Sequence, residues 1–317
     1  MGETVGLRGV SRASVKRLLR RLASFSPILL IACGASPGDA VERGDRLYGA
    51  GRVEEAIAEY KLALRQQGEE PSLLLRIGSA YAGQGEVDAS LDYFGRLLEA
   101  DSAYRYQVAA ELAEAARVAL RSGARDNMAR ALEPVQAIGI GMIPEDLRLE
   151  LARYYSDQDD HARALPLYLS LADGEDSPVP TIAMYETARA FRALGGCREA
   201  LEYYERVVEA GPDLDPASRT SARWQYGDCL YAVAGEERTA GRTEAAKRRL
   251  DRLIELGVPQ TLLDRAHYRR GELLLESGDE EEARADFQAV LDLNPARSGQ
   301  LVQQAEDRIR EIRYRSP

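Results

Sequence analysis

The sequence predicts an all-α fold built from tandem repeats, and two observations lead to this prediction. Ala, Leu, Glu and Arg dominate the composition, Phe and Trp are sparse, and runs of β-branched residues are absent. In addition, residues 43–64 and 77–98 align without a gap at an offset of 34. A period of roughly 20–50 residues indicates an array of small units that bury their apolar faces against one another.

The first 32 residues differ from the rest of the chain. Six basic residues, from Arg8 to Arg21, precede an apolar run of 11 residues, Leu22 to Ala32. This run is too short to span a membrane, which takes about 20 residues, and Pro27 disfavours a stable globular helix. A basic start, a short apolar middle and small residues at the end are typical of a secretory signal.

The string Leu30-Ile31-Ala32-Cys33 resembles the lipobox of bacterial lipoproteins. The resemblance implies a signal peptide over residues 1–32 and a lipid anchor on Cys33, with residues 33–40 as a short linker. Gly34 follows the cysteine, and by the sorting rule of Gram-negative lipoproteins this implies the outer membrane, facing the periplasm. The alternatives are an ordinary signal peptide, or a buried first helix whose cysteine is incidental.

The charge balance disfavours nucleic acid as a partner. Without residues 1–32 the chain keeps 36 basic and 51 acidic residues, a net charge of about −15. An acidic surface repels nucleic acid and anionic lipid. Two further cysteines, Cys197 and Cys229, either form a disulfide in an oxidising compartment or are two small core residues.

The aligned stretches share a pattern of small and aromatic residues. The first has Gly44, Gly51, Ala56 and Tyr60, and the second has Gly78, Gly85, Ser90 and Phe94 in the same places. This pattern resembles the tetratricopeptide repeat, a pair of antiparallel helices joined by a turn. The first small residue lets the helices approach closely. The turn glycine adopts a backbone conformation that other residues reach at a cost. The aromatic lies one turn after the alanine, on the same face.

Further copies of the pattern follow along the chain. They comprise Ala152, Tyr155, Ala164 and Tyr168, with Asp159 in place of the turn glycine; Ala188, Phe191, Gly195, Ala200 and Tyr204; and Gly271, Leu274, Gly278, Ala283 and Phe287. The copy at 109–137 keeps little beyond Gly123. In the copy at 220–257, Gly227 and Gly241 lie 14 residues apart instead of 7. That spacing implies either a first helix two turns longer or a loop at 235–239.

The resemblance implies an α-solenoid, a right-handed superhelix of helix pairs. We expect about seven repeats over residues 41–296, followed by an amphipathic capping helix over 297–317. The segment 138–144 is interpreted as a turn rather than a hinge, because Gly and Pro commonly interrupt repeats in this way.

No residue pattern predicts catalysis. The two histidines, His161 and His267, have no second ligand at metal-binding spacing. Phosphate-binding, zinc-protease and serine-hydrolase motifs are absent from the sequence. We therefore expect no enzymatic activity, no metal, no cofactor and no small-molecule substrate.

In the tetratricopeptide repeat family, first-helix residues outside the consensus core line a concave groove. Residue by residue, the resemblance implies a protein-binding groove lined by Tyr48, Arg117, Arg121, Arg153, Tyr185, Arg189, Arg192, Trp224, Tyr231 and Tyr268. Arginine pairs with carboxylates, and Tyr and Trp are common interface anchors. The hypothesis is a groove for an acidic or carboxylate-ending peptide of an envelope protein. The alternative is that the arginines pair with neighbouring glutamates and the aromatics pack between repeats.

The sequence therefore predicts a non-enzymatic scaffold or adaptor lipoprotein that binds a partner at the periplasmic face of the outer membrane. The alternative is a structural subunit of an envelope assembly, secretion or pilus and motility complex, similar to a pilotin, that packs by its convex surface.

Overall fold

The computed structural model describes residues 37–172, 180–210 and 214–315, together with Gly2. These residues form fifteen α-helices and two short 3-10 helices, and no strand occurs among them. The all-α prediction is confirmed. Within the same residues, no helix is both long and apolar enough to cross a membrane. The predicted signal peptide and Cys33 lie outside the described residues.

The chain divides into two compact units, residues 1–67 and 68–317. In the first unit, α1 (Pro37–Gly49) and α2 (Val53–Gln67) form one helix pair. A Cβ added at Gly44 would lie only 2.4 Å from the ring of Tyr60, which is buried. The prediction that a small residue here permits close approach of the two helices is therefore confirmed.

The second unit contains six helix pairs and a final single helix. The first helices of the pairs are α3 (Pro71–Gln84), α5 (Arg105–Arg121), α7 (Glu145–Asp157), α9 (Pro180–Ala193), α11 (Pro216–Thr239) and α13 (Gln260–Ser277). The second helices are α4 (Val87–Ala100), α6 (Arg125–Ile138), α8 (His161–Ala172), α10 (Cys197–Glu209), α12 (Thr243–Leu256) and α14 (Glu280–Leu293). The two 3-10 helices cover Ser102–Tyr104 and Ile140–Met142, and the final helix is α15 (Gln300–Arg315).

The consensus residues form the contacts that the repeat pattern predicts. A Cβ added at Gly78 would lie 2.4 Å from Phe94, and one added at Gly271 would lie 2.9 Å from Phe287. The second-helix aromatics at the consensus place are all but inaccessible to solvent; they are Phe94, Tyr168, Tyr204 and Phe287. Burial of such a side chain stabilises the fold by roughly 1.5–3 kcal/mol. Four of the six helix pairs of this unit therefore pack one such aromatic in their core, whereas the other two bury Met128 of α6 and Leu250 of α12.

The turn between the two helices of a repeat requires a left-handed backbone. Gly85 adopts φ 76°, and Asp159, which stands at the glycine place of its repeat, adopts φ 58°. Asp is one of the few side chains that tolerate this region. The sequence alignment therefore placed the turn of that repeat correctly although its glycine is missing.

The sequence left two forms open for the sixth repeat, a longer first helix or a loop at 235–239, and the course of α11 distinguishes them. It runs without a break through Gly235 to Thr239, so the extra seven residues between Gly227 and Gly241 lengthen a helix and form no loop. Its start is well specified: the Asp215 carboxylate accepts hydrogen bonds from two backbone N–H groups at 3.0 Å, and Pro216 occupies the first turn.

The last helix, α15, has the amphipathic character that the sequence predicts. Val302, Ala305 and Ile312 are buried against α14, while most of the other described side chains of α15 are charged or polar. The segment at 138–144 forms a short 3-10 turn after α6.

Candidate functional site

Three successive first helices of the second unit contribute to one surface. On α11, Trp224, Asp228 and Tyr231 are spaced by four and three residues, so they share one side of the helix. Asp228 accepts a hydrogen bond from Arg192 of α9 at 3.0 Å. On the other flank, the guanidinium of Arg269 of α13 lies 3.9 Å from the centre of the Tyr231 ring. We call the surface formed by these five residues the first-helix face.

Trp224 is the most exposed aromatic of this face. It is 47% exposed, and it lies one helical turn before Asp228. It is also the single tryptophan of the sequence. An exposed, large apolar side chain next to an ion pair and a cation–aromatic contact offers a partner both apolar surface and polar groups.

The other predicted aromatics are more enclosed. Tyr185 on α9 is buried, with Arg189 over its ring. Tyr268 on α13 packs edge-on against Phe287 at 5.5 Å between ring centres, and burial raises its pKa. Tyr48 is 43% exposed but belongs to the first unit, on α1. Of the five aromatics predicted to line the groove, Trp224 and Tyr231 share the first-helix face, Tyr185 and Tyr268 pack within the fold, and Tyr48 is exposed in the first unit.

All five predicted groove arginines take part in ion pairs. The pairs are Arg117 with Asp146 at 3.1 Å, Arg121 with Glu114 at 3.3 Å, Arg153 with Glu150 at 2.8 Å, Arg189 with Glu186 at 2.9 Å and Arg192 with Asp228 at 3.0 Å. The hydrogen bond from Arg117 holds the pKa of Asp146 below its usual value. The surface is thus close to neutral at these positions, as the alternative interpretation of the sequence anticipated for the arginines.

A polar pocket of about 200 Å³ lies between α7, α8 and α9. Arg153 and Arg189 line it from two different helices, and Glu186 lies between them in the same lining. Burial raises the pKa of Glu186, while the two arginines act in the opposite direction. The sequence analysis predicted both arginines as groove residues. It missed Glu186, although the spacing of three residues to Arg189 on one helix is a recognisable signal.

Two buried polar atoms of this pocket, the Tyr168 hydroxyl and His161 Nδ1, make no hydrogen bond of ordinary geometry to a described residue, although the Ser156 side chain lies near enough to the hydroxyl to lower its pKa. Burial raises the pKa of Tyr168 to about 12, so its hydroxyl stays protonated and is available as a donor. Buried polar groups are normally paired. The pocket therefore suits a polar group of a ligand, such as a peptide carbonyl, that accepts from the tyrosine.

The α10–α11 interface contains a covalent cross-link. Cys197 and Cys229 form a disulfide, which decides between the two sequence interpretations of these cysteines. Beside it, the buried carboxylate of Glu237 pairs with Arg198 of α10 and with Arg242. These two arginines hold the pKa of Glu237 at about 2.

Comparison with known proteins gives a family match. A model of the tetratricopeptide repeat matches residues 41–105, 149–215, 185–236 and 233–298, which together exceed half of the chain. Comparison with curated protein sequences gives no match.

Several solved structures are similar at low sequence identity. The C-terminal part of a tetratricopeptide repeat protein from Cytophaga hutchinsonii is 14% identical, with 84% of this chain and 98% of that chain covered and a TM-score of 0.35. A repeat protein from Parabacteroides merdae is 13% identical, with 88% and 100% covered and a TM-score of 0.35. The TPR2AB domain of yeast Sti1 in complex with pHSP90 is 14% identical, with 87% and 99% covered and a TM-score of 0.35.

Proposed function

Because the chain belongs to the tetratricopeptide repeat family, we propose that it is a non-enzymatic scaffold that binds a partner protein in a bacterial cell envelope. The partner contributes an extended segment that lies across the first-helix face of the second unit. The observation that carries this proposal is Trp224, an exposed aromatic on the same side of α11 as Asp228 and Tyr231, which are themselves contacted from α9 and α13.

Trp224 suits the role of an anchor. Tryptophan is enriched among the few interface residues that carry most of the binding energy. Its neighbours on the face, Asp228 and Tyr231, are already fixed by contacts to adjacent helices, so little ordering is needed on binding. The polar pocket beside Arg153 and Arg189 supplies a hydrogen-bonding position for the partner backbone further along the first helices.

An acidic or carboxylate-ending partner is part of the proposal. The ion pairs of Arg189 and Arg192 are partly exposed, and exposed pairs contribute only about 0–1 kcal/mol. A carboxylate of the partner can therefore take the place of Asp228 at small cost, whereas displacement of Glu186, which is only 17% exposed, would leave a buried carboxylate without its partner. Because these arginines are paired beforehand, we assign them to selectivity and assign the affinity to Trp224.

We place the protein at the periplasmic face of the outer membrane, anchored through a lipid on Cys33. The lipobox-like string before Cys33 supports the anchor, and Gly34 supports the outer membrane. The disulfide between Cys197 and Cys229 also supports an oxidising compartment such as the periplasm, because cytosolic thiols are kept reduced.

A second candidate function is a structural subunit of an envelope, secretion or pilus complex that packs laterally. The pairing of all five predicted groove arginines favours this second function. Their charge is already neutralised by carboxylates of the protein itself, so no charged ligand is needed. The two candidates differ in which surface a partner covers.

The test combines crosslinking and affinity capture from membranes, with wild-type protein, Trp224→Ala and the pair Arg189→Glu and Arg192→Glu. The matched control is Tyr314→Ala, an aromatic that is 86% exposed on α15. We expect Trp224→Ala to lose the captured partner and the control to retain it. Capture that is unchanged in Trp224→Ala would favour the structural-subunit function. Fractionation of Cys33→Ser in the same experiment tests the anchor, and retention in the outer membrane contradicts it.

A further inference from the structure

A second pocket lies at the opposite end of the α10–α11 interface from the disulfide. Its volume is about 420 Å³, within the range of roughly 300–1,000 Å³ typical of ligand sites. Val207 and Val208 of α10 and Ala222 of α11 line its apolar side, and Arg219, Thr220 and Arg223 of α11 line its polar side. We call it the α10–α11 pocket. None of its residues belongs to the first-helix face.

The position of this pocket follows from how the two helices are joined. The two helices are antiparallel. Cys197 forms the disulfide with Cys229, and further along α10 Tyr204 donates a hydrogen bond to Gln225, which precedes Cys229, at 2.6 Å. Beyond these contacts, the C-terminal end of α10 and the N-terminal end of α11 enclose the pocket. The disulfide and the Tyr204–Gln225 hydrogen bond therefore fix the relative position of the two helices whose other ends enclose the pocket.

The apolar side of the pocket is already desolvated. Val207 and Ala222 are buried, and Val208 is half-buried. Because Val207 and Ala222 are almost fully buried, the aliphatic surface that a ligand side chain can cover is that of the half-buried Val208 and the exposed Pro216.

Among the described residues, no carboxylate pairs with the arginines on the polar side of the pocket. Arg219 Nε is buried and has no hydrogen-bond partner. Arg223 uses one donor on the Leu256 carbonyl at 3.0 Å, and in the part of the chain that the structure describes neither arginine has a carboxylate at ion-pair distance. This contrasts with the arginines of the predicted groove, and with a chain whose net charge is −10. A buried guanidinium donor without an acceptor favours any ligand that provides one.

We propose that the α10–α11 pocket binds the C-terminal residue of a partner polypeptide, with its carboxylate on Arg219 and Arg223 and its apolar side chain against Val208 and Pro216. Pro216 and Arg219 lie within one helical turn, a rise of about 5 Å. A single C-terminal residue offers a carboxylate and an apolar side chain at this separation. An internal Asp or Glu carries its carboxylate on a different residue from the apolar side chain.

The experiment measures fluorescence anisotropy with labelled octapeptides of Gly and Ser that differ only at the last residue. The panel comprises Leu, Phe and Ser ends as free acids, the Leu end as an amide, and an amidated peptide with an internal Leu-Asp pair. We expect the Leu or Phe acid to bind at least about tenfold more tightly than the amide or the Ser acid, since only it satisfies both sides of the pocket. Equal binding of acid and amide, tighter binding of the internal Leu-Asp peptide, or no binding by any peptide overturns the proposal.

Variants locate the effect. Arg219→Gln should weaken binding of the Leu acid by about tenfold through loss of a charged donor. Thr220→Glu should also weaken binding of the Leu acid, because it places a carboxylate of the protein itself beside the arginines. Thr220 is exposed, so we expect this variant to fold. The matched control is Arg248→Gln, an exposed arginine on α12. Unchanged binding in both pocket variants overturns the assignment.

The outcome is separable from that of the proposed function. The pocket variants should leave the capture that depends on Trp224 intact, and Trp224→Ala should leave binding of the Leu-ended acid unchanged. A failure of one site therefore leaves the other to be judged by its own variants.

Discussion

Arg192 of α9 donates a hydrogen bond to the carboxylate of Asp228 of α11 at 3.0 Å, and so joins two first helices across a residue separation of 36. The two side chains are 37% and 38% exposed, which leaves the pair open to competition from a ligand. This pair sits one turn from Trp224, so the charge state of the first-helix face depends on a contact between repeats.

Asp228→Asn should strengthen the binding of an acidic partner while it leaves the fold nearly unchanged. The substitution frees the guanidinium of Arg192 from its carboxylate, and loss of an exposed ion pair alters the free energy of unfolding by about 0–1 kcal/mol. Affinity for the captured partner, measured at low and at high salt, checks this. Weaker binding in Asp228→Asn would show that the partner uses Asp228 itself.

Gly227→Ala should destabilise the sixth repeat severely. A Cβ at this position would lie 2.0 Å from the Val258 carbonyl oxygen, which is backbone and cannot turn aside. We expect a loss of about 3 kcal/mol in the free energy of unfolding, the upper end of the range for overpacking. Urea denaturation followed by circular dichroism gives the value.

Gly235→Ala is the matched control in the same helix. There the Cβ meets only the end of the Arg269 side chain, at 3.2 Å. Replacement of a glycine inside a helix by alanine favours the helix by about 0.5–1 kcal/mol, so this variant should be as stable as wild type or more so. Equal losses in both variants would contradict the close contact at Gly227.

Glu237 should make the protein sensitive to acid. Its pKa in the folded protein is about 2, because Arg198 and Arg242 hydrogen-bond its carboxylate, and this lies below the ordinary value of 4.5. A lowered pKa stabilises the fold fully above the ordinary value, and the contribution is lost as the pH falls from about 4.5 towards 2.

Urea denaturation of wild type and Glu237→Gln at pH 7, 4.5 and 3 tests this. The variant should be less stable at pH 7, and the difference between the two proteins should shrink at pH 3. Glu236→Gln, which removes the exposed partner of the same Arg198, is the control and should have a smaller effect at pH 7. A difference that stays constant with pH would contradict the assignment.

Reduction of the disulfide should destabilise the second unit. Cys197 and Cys229 are 32 residues apart, and a cross-link over such a loop stabilises by about 3–4 kcal/mol in the chain-entropy description. We expect dithiothreitol to lower the urea midpoint of the wild type to that of the double variant Cys197→Ser and Cys229→Ser, and to leave that variant unchanged. A wild-type midpoint that does not move once free thiols are detected would be the contrary result.

Local features of the repeats could be predicted because they depend on spacing along one chain segment. Gly78 and Phe94 occupy places that the 34-residue offset identifies, and their contact follows from the geometry of two joined helices. The pair of Arg189 with Glu186 could likewise be recognised, because residues three apart on a helix are neighbours.

Features that arise between repeats could not be predicted in the same way. Arg192 meets Asp228 only after two helix pairs have stacked, and no pattern within either helix indicates the partner. The pocket at Arg219 depends on where α10 ends and α11 begins, so a register based on consensus core residues missed it. The charge of a surface in a repeat protein is therefore determined by stacking as well as by composition.

The length of α11 has a mechanical consequence. At 1.5 Å per residue its 24 residues span about 36 Å, against about 21 Å for the 14 residues of α9. The added turns carry Glu236, which bonds Arg198 of α10, and Arg238, which bonds Glu276 of α13 at 3.0 Å. In a solenoid each repeat contacts only its neighbours, so repeats can separate one interface at a time. The disulfide and these contacts join the sixth repeat to both of its neighbours, so we expect the fifth and sixth repeats to separate together under a pulling force.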